Sequence, residues 1–131
     1  MATILVAHGS RNEAAQRAHE QLVDAVAARL AGDDAARVLA AYLEMADPDI
    51  ATAIDSAVAN GAMAVRILPC FLHPGNHVEV DIPAIARVAA DDHPEVSIEV
   101  LSHLGSHEAL VGMLADMLSD DRPAGPAGSP P

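Results

Sequence analysis

Lysine is missing from this chain and arginine is scarce: 7 arginines stand against 19 acidic residues, for a formal net charge of -12. That balance excludes a broad nucleic-acid or anionic-membrane surface, because neutralising phosphate needs a cationic footprint. It draws metal cations in, while an anionic small molecule has to be met by local arginine or by helix N-termini. Cysteine is almost absent as well. The lone Cys70 excludes an internal disulfide and any multi-cysteine zinc site. Tryptophan is missing and only Tyr42 and Phe71 are aromatic, so the core must be built from Ala, Val, Leu, Ile and Met. No apolar run approaches the length of a membrane span, and MATILVAHGSR carries neither a basic region nor a small-residue cleavage pattern. The expectation is a soluble, cytoplasmic protein that binds neither nucleic acid nor membrane.

What the chain does have is apolar material, 51% of 131 residues, enough for one domain with a real core. Short apolar runs read as strands: TILVA (Thr3 to Ala7), RVLAAYL (Arg37 to Leu43), AVRILP (Ala64 to Pro69) and VSIEVL (Val96 to Leu101). Helical spacing lies between them. Ala15, Ala18, Leu22, Val26 and Leu30 form the expected core face of a first helix over Glu13 to Leu30. Ile50, Ile54 and Val58 mark a second, closed by Asn60 and Gly61; Ile82, Ile85 and Val88 or Ala89 mark a third. Leu110, Leu114 and Met117 or Leu118 mark a fourth, and the outer faces of the first and fourth are not distinctly apolar. Apolar strands alternating with amphipathic helices predict a doubly wound, flavodoxin-like three-layer α/β sandwich with a four-stranded parallel sheet, order 2-1-3-4. The domain spans 1–119. The Pro/Gly/Ala-rich tail 120–131 reads as disordered.

In that order the sheet reverses between strands 1 and 3, and ligands of such sheets bind outside the strand carboxyl ends at the reversal. AHGSR leaves strand 1 there and PCFLHPGNH leaves strand 3, so His8 and His77 converge on one crevice. Gly9 lets the backbone turn sharply, and Ser10 or Asn12 caps the first helix. His73 and His77 are four apart, but Pro74 and Gly75 place them on a loop. Two helix starts compete downstream: a capping box from Asn76 to Glu79, or Asp81 with Pro83 in the first turn. Glu79 and Asp81 are candidates to orient a histidine or to help hold a cation. Glu44 leaves strand 2 at the same sheet end, while Asp47 with Pro48 reads as a structural helix start. His19, His93 and Cys70 read as structural, and His103 and His107 follow strand 4 as weaker candidates. No GxGxxG, Walker A or nucleophile-elbow pattern is present. What remains is two or three neutral-capable imidazoles facing each other across a cleft with carboxylates behind them, an open site rather than a closed four-ligand one.

Taken in order, LVAHGSR, LEMADPD, ILPCFLHPGNHVEVDIP and the LG before the last helix resemble the small single-domain class II chelatases of the CbiX/SirB family. The resemblance runs over about residues 3 to 118. It implies a chelatase-like fold, a homodimer, and insertion of a divalent metal (cobalt or ferrous iron, with nickel as the alternative) into sirohydrochlorin for cobalamin or siroheme biosynthesis. The metal is then a substrate, and no organic cofactor is implied. By the motif match, His8 and His77 lie over the tetrapyrrole, bind the incoming metal and accept pyrrole protons. Glu44 and Asp81 match the family's acidic positions. His73, with Pro74, departs from the small apolar residues of cobalt-type members and is a candidate third ligand. Gly9, Ser10, Arg11, Glu44, Phe71, Gly75 and Asn76 are the expected substrate contacts. The competing class is a non-catalytic protein that binds a tetrapyrrole or a metal.

Overall fold

Alternating strands and helices close into a single sheet in the computed structural model of the chain, which describes residues 1–30, 32 and 37–119. The tail expected to be disordered, 120–131, lies outside the described residues. The strands are β1 (Ala2–Ala7), β2 (Val38–Tyr42), β3 (Ala64–Pro69) and β4 (Ser97–Val100), and the helices are α1 (Glu13–Arg29), α2 (Ile50–Ala59), α3 (Ile82–Asp92) and α4 (Glu108–Met117). All pairings are parallel and the order is β2-β1-β3-β4, as the sequence implies. β2 and β4 are one residue shorter at each end than the apolar runs that announce them.

The core lies on the α2/α3 side of the sheet. Ile4, Val6, Ala41, Val65 and Ile67 meet Ile50, Ala53, Ile54, Ala57, Ile82, Ala86 and Ala89 there in one buried cluster. Small alanines let the helices sit close, and each buried isoleucine contributes roughly 1.5–3 kcal/mol. β4, at the sheet edge, alternates exposed Ser97 and Glu99 with half-buried Ile98 and Val100.

α1 packs on the opposite side through a face other than the expected one. Its buried residues are His19 and Val23, while Ala15 and Ala18 are exposed and Leu22 is 47% exposed. A polar group chooses this face: a His19 ring nitrogen bonds the Leu5 carbonyl at 2.9 Å, and the ring meets Tyr42 edge-on. The Tyr42 hydroxyl in turn donates to the Gln16 carbonyl at 3.1 Å, and burial pushes its pKa up. α2 starts later than Asp47–Pro48 suggests. Pro48 gives its carbonyl to the Tyr42 N–H (2.9 Å), which keeps the segment extended beside β2, and Asp49 caps the helix by accepting from Thr52 N–H at 2.8 Å. Asn60 and Gly61 close it as expected.

α4 is the largest departure. None of its residues is buried, and Val111, Met113, Leu114 and Leu118 are all more than two-fifths exposed, against the expectation of a core face and a polar outer one. No helix among the described residues is long and apolar enough to cross a membrane.

Candidate active site

The site grows from the adjacency of β1 and β3, which brings the residues after Ala7 and after Pro69 to the same sheet end. His8 follows β1. Gly9 behind it has φ +103°, and a β-carbon there would overlap the Glu44 carbonyl oxygen. Only a glycine therefore lets the loop after β2 fold so closely over β1. Leu43 N–H to Ala7 O (2.9 Å) and Glu44 N–H to His8 O (3.0 Å) fasten that loop. The result places Glu44 Oε1 3.2 Å from His8 Nε2. The other ring nitrogen, Nδ1, lies 3.2 Å from the Gly9 carbonyl, to which it can only donate. With Nδ1–H so used, the contact with a Glu44 carboxylate is favourable when Nε2 carries a second proton.

His77 opens a π-helical turn, His77–Asp81, that runs directly into α3. Pro83 explains the wider turn. It has no N–H to give, and in a regular helix its ring would press on the carbonyl four residues back. The capping box from Asn76 is not formed, whereas α3 does begin at Ile82 with Pro83 in its first turn, although Asp81 before it is helical in backbone and its side chain does not cap. Instead, Asp81 Oδ2 takes a hydrogen bond from His77 Nδ1 at 2.9 Å. Nε2 of His77 has no hydrogen-bond partner among the described residues, so its lone pair is available there. The imidazoles of His8 and His77 meet edge-on, 5.1 Å between centroids, and the Phe71 ring stacks on His77 at 6.5 Å and 26°. A recess of about 380 Å³ beside them is lined by Leu43, Glu44, His77, Asp81, Ala84 and Ile85.

The side chains of His8, Glu44, His77 and Asp81 are each about half exposed. Ion pairs so placed contribute only about 0–1 kcal/mol to stability. Folding alone does not account for two carboxylate–imidazole pairs side by side.

Other expected residues divide. Ser10 is used locally, its hydroxyl oxygen accepting from Asn12 N–H at 3.0 Å and its carbonyl from Gln16 at 2.9 Å, while Asn12 caps α1. Arg11 is exposed and makes no ion pair among the described residues. Gly75 gives its carbonyl to Val78 and Glu79 N–H at the base of the π turn, and Asn76 is exposed. His73 does not join the pair. It stands exposed before the Pro74–Gly75 turn, with no hydrogen bond, ion pair or ring contact among the described residues. Glu79 is likewise exposed and has no ion pair among the described residues; in the π turn, residues 77 and 81 line up and 79 falls on the other side. His103 and His107 flank the short turn Leu104–Ser106 and touch neither imidazole. His93 pairs with Asp55 at 2.8 Å, away from the site. Burial pushes the Cys70 thiol up to about 11, which keeps it from acting as a thiolate ligand near neutral pH. Among the described residues, no group of three or more His, Cys, Asp or Glu is placed to hold a metal ion.

Sequence reading missed Leu43, Ala84 and Ile85, the apolar wall of the recess, because they read only as core positions. It also missed that Phe71 lies against His77, which no spacing rule reveals.

Residues 2–121 match the family model CbiX. A chloroplastic sirohydrochlorin ferrochelatase of Arabidopsis thaliana is 31% identical over 115 residues, 88% of this chain and 50% of that protein. A sirohydrochlorin cobaltochelatase of Methanococcus maripaludis is 34% identical over 91 residues, 70% of this chain and 61% of that protein. Among solved structures, sirohydrochlorin chelatase SirB from Bacillus subtilis subspecies spizizenii, in complex with cobalt, superposes with a TM-score of 0.77 at 26% identity, over 88% of this chain and 48% of its own. A CbiX protein of Marinobacter aquaeolei VT8 gives 0.76 at 26% identity, over 88% of this chain and 92% of its own. The chain thus spans half the length of the plant relative and about three-fifths of the archaeal one. With the family model matched along nearly its whole length, the chain belongs to the CbiX family.

Proposed function

We propose that the chain is a sirohydrochlorin chelatase, inserting a divalent metal, cobalt or ferrous iron, into sirohydrochlorin with release of two protons, for cobalamin or siroheme biosynthesis. The observation that carries this reading is the pairing at the sheet end: a His77 Nε2 left free beside a His8 already backed by Glu44. The names of the Arabidopsis and Methanococcus relatives support it.

Insertion must strip water from an aqua ion and remove two N–H protons from a ring whose nitrogens point inward. The two histidines suit different parts of that task. His77, with Nδ1–H held by Asp81, presents Nε2 in fixed orientation, the arrangement in which carboxylates support metal-binding imidazoles. His8 is suited to take a pyrrole proton, because the charge it gains at Nε2 faces Glu44 at 3.2 Å. From there the proton passes to water, since both side chains are half exposed. Holding the ion over the ring converts a bimolecular encounter into a local transfer.

The macrocycle is rich in carboxylates and the protein is acidic. Arg11, unpaired beside the crevice, is the cation at hand, and the apolar wall of Leu43, Ala84 and Ile85 suits a ring face. Gly9, Ser10, Phe71, Gly75 and Asn76 remain the other expected contacts. Nickel stays the alternative ion, because an open set of nitrogen and oxygen donors discriminates weakly. A homodimer, with the reaction in the cytoplasm, belongs to the same reading. The exposed apolar residues of α4 are the surface it would cover, and sedimentation of wild type against Leu114→Glu tests it.

The test of function is an anaerobic absorbance time course with sirohydrochlorin and cobalt, ferrous iron or nickel, against no-enzyme controls. Accelerated insertion that is lost in His77→Ala is the expected result. Tight ring binding without acceleration by any ion would favour the non-catalytic binding protein instead.

A further inference from the structure

Gly105 lies in the turn Leu104–Ser106 after β4, outside the set of residues around the two imidazoles. Its N–H donates to the Phe71 carbonyl at 3.0 Å, and a β-carbon on it would overlap the carbonyl of Leu72. The turn after β4 therefore lies directly on the loop that leaves β3. Upstream, Cys70 N–H bonds Val6 O at 2.8 Å; downstream, the π turn begins on the Gly75 carbonyl. Between these anchors, the Gly105–Phe71 bond is the single hydrogen bond that residues 71–74 make among the described residues. The Phe71 ring, carried by that loop, stacks on His77.

His77 needs such support. Its side chain is 46% exposed, so little surrounding packing fixes the ring. The bond to Asp81 selects the tautomer, but that bond and the edge-on contact with His8 leave the imidazole freedom to swing. A flat ring face against it removes that freedom, provided the backbone carrying the phenyl stays in place.

We infer that Gly105 is a positioning residue for His77, acting through Phe71: the absence of a side chain at Gly105 seats the Phe71–Leu72 backbone, and the phenyl face sets the plane of the imidazole. What His77 does with that orientation rests on the function proposed above, but the orientation itself does not.

The experiment compares Gly105→Ala, Phe71→Leu and Phe71→Tyr with wild type. The His77 imidazole C–H signals are followed by NMR across pH, thermal unfolding is measured in parallel, and insertion is assayed with cobalt. Phe71→Leu removes the flat face without touching the backbone, whereas Phe71→Tyr keeps it. The expected result is that Gly105→Ala and Phe71→Leu displace and broaden the His77 signals in the same direction, and Phe71→Tyr leaves them in place. Both displaced variants should also lower kcat about tenfold, with KM changed less than twofold in Gly105→Ala, whose substituted residue is not among the expected substrate contacts. If Phe71→Leu leaves the His77 signals unmoved, the inference is overturned, whatever Gly105→Ala does to stability or folding. Wild type that shows no insertion while the signals move as expected would sink the chelatase reading and leave the positioning role standing.

Discussion

The rings of His8 and His77 meet edge-on, 5.1 Å between centroids, although they leave different strands. Their meeting follows from β1 and β3 being neighbours, with Val6 opposite Pro69 in the register, so that both chains exit at one level. Each ring has its own carboxylate, Glu44 for His8 and Asp81 for His77, and the two pairs present different nitrogens: Nε2 of His8 and Nδ1 of His77. The pair is thus chemically asymmetric, with one imidazole backed at the nitrogen it would protonate and the other left free at the nitrogen it would use.

That asymmetry sets an order among variants. His77→Ala should lower the insertion rate by at least about 100-fold, because it removes the nitrogen that would hold the ion over the ring. Asp81→Asn should cost about 10–100-fold, as for carboxylates behind metal-binding imidazoles. Unfolding free energies should change by no more than about 1 kcal/mol in Asp81→Asn, because the pair is half exposed. Initial rates under anaerobic conditions and urea melts check both parts. An Asp81→Asn protein with full activity would remove Asp81 from the mechanism.

Gly9→Ala should be harmful twice over. The residue sits at φ +103°, and its new methyl would collide with the Glu44 carbonyl. A loss of about 1–3 kcal/mol is expected from the backbone alone, together with detachment of Glu44 from His8. Thermal melts and the pH profile of activity read the two effects separately. Unchanged stability would show that the loop after β2 is not seated on Gly9.

Asp49 gives a pH signature away from the site. The Thr52 backbone N–H, then its side chain, holds the Asp49 carboxyl below the usual range. A depressed carboxyl stabilises the fold above its unfolded pKa of about 3.9. That contribution disappears as pH falls through the lower folded value. Asp49→Ala should therefore cost about 0.5–2 kcal/mol at pH 7 and much less near pH 2. Asp49→Asn keeps an acceptor and should show a smaller gap at pH 7. Urea titrations at the two pH values decide; a gap for Asp49→Ala that does not narrow in acid would refute the cap's charge dependence.

Cys70 should be quiet. Its thiol is pushed up to about 11, first by burial. Alkylation by iodoacetamide at pH 8 is expected to run at least about tenfold slower in native protein than in the urea-unfolded chain, whose thiol returns to about 8.5. Equal rates would mean that the thiol is more accessible than its burial implies.

The alternation of strands and helices was legible because it depends on apolar periodicity. Strand order was not in that pattern; the order 2-1-3-4, with the convergence of AHGSR and PCFLHPGNH that rests on it, came from short crossovers favouring neighbours and from the reversal needed to cover both faces. The partners within the site were less legible. Asp81, not Glu79, meets His77 because Pro83 widens the preceding turn, a response that a capping rule does not anticipate. The α1 face was misread because alanine and leucine outscored a histidine whose ring nitrogen bonds the Leu5 carbonyl. In α4 the apolar spacing was real but said nothing of whether the helix would be covered, and among the described residues nothing buries it.

The half-exposure of the four polar side chains around the recess has a kinetic side. Nothing in the described fold has to open before an ion or a proton enters or leaves. For the proposed reaction, such a site gives up residence time for turnover: ions come and go near the pace of their own water exchange. Occupancy then follows the free concentration of each ion at that moment, weighted by its intrinsic preference for nitrogen donors. Which ion is inserted becomes a property of the surrounding pool more than of any gate in the protein.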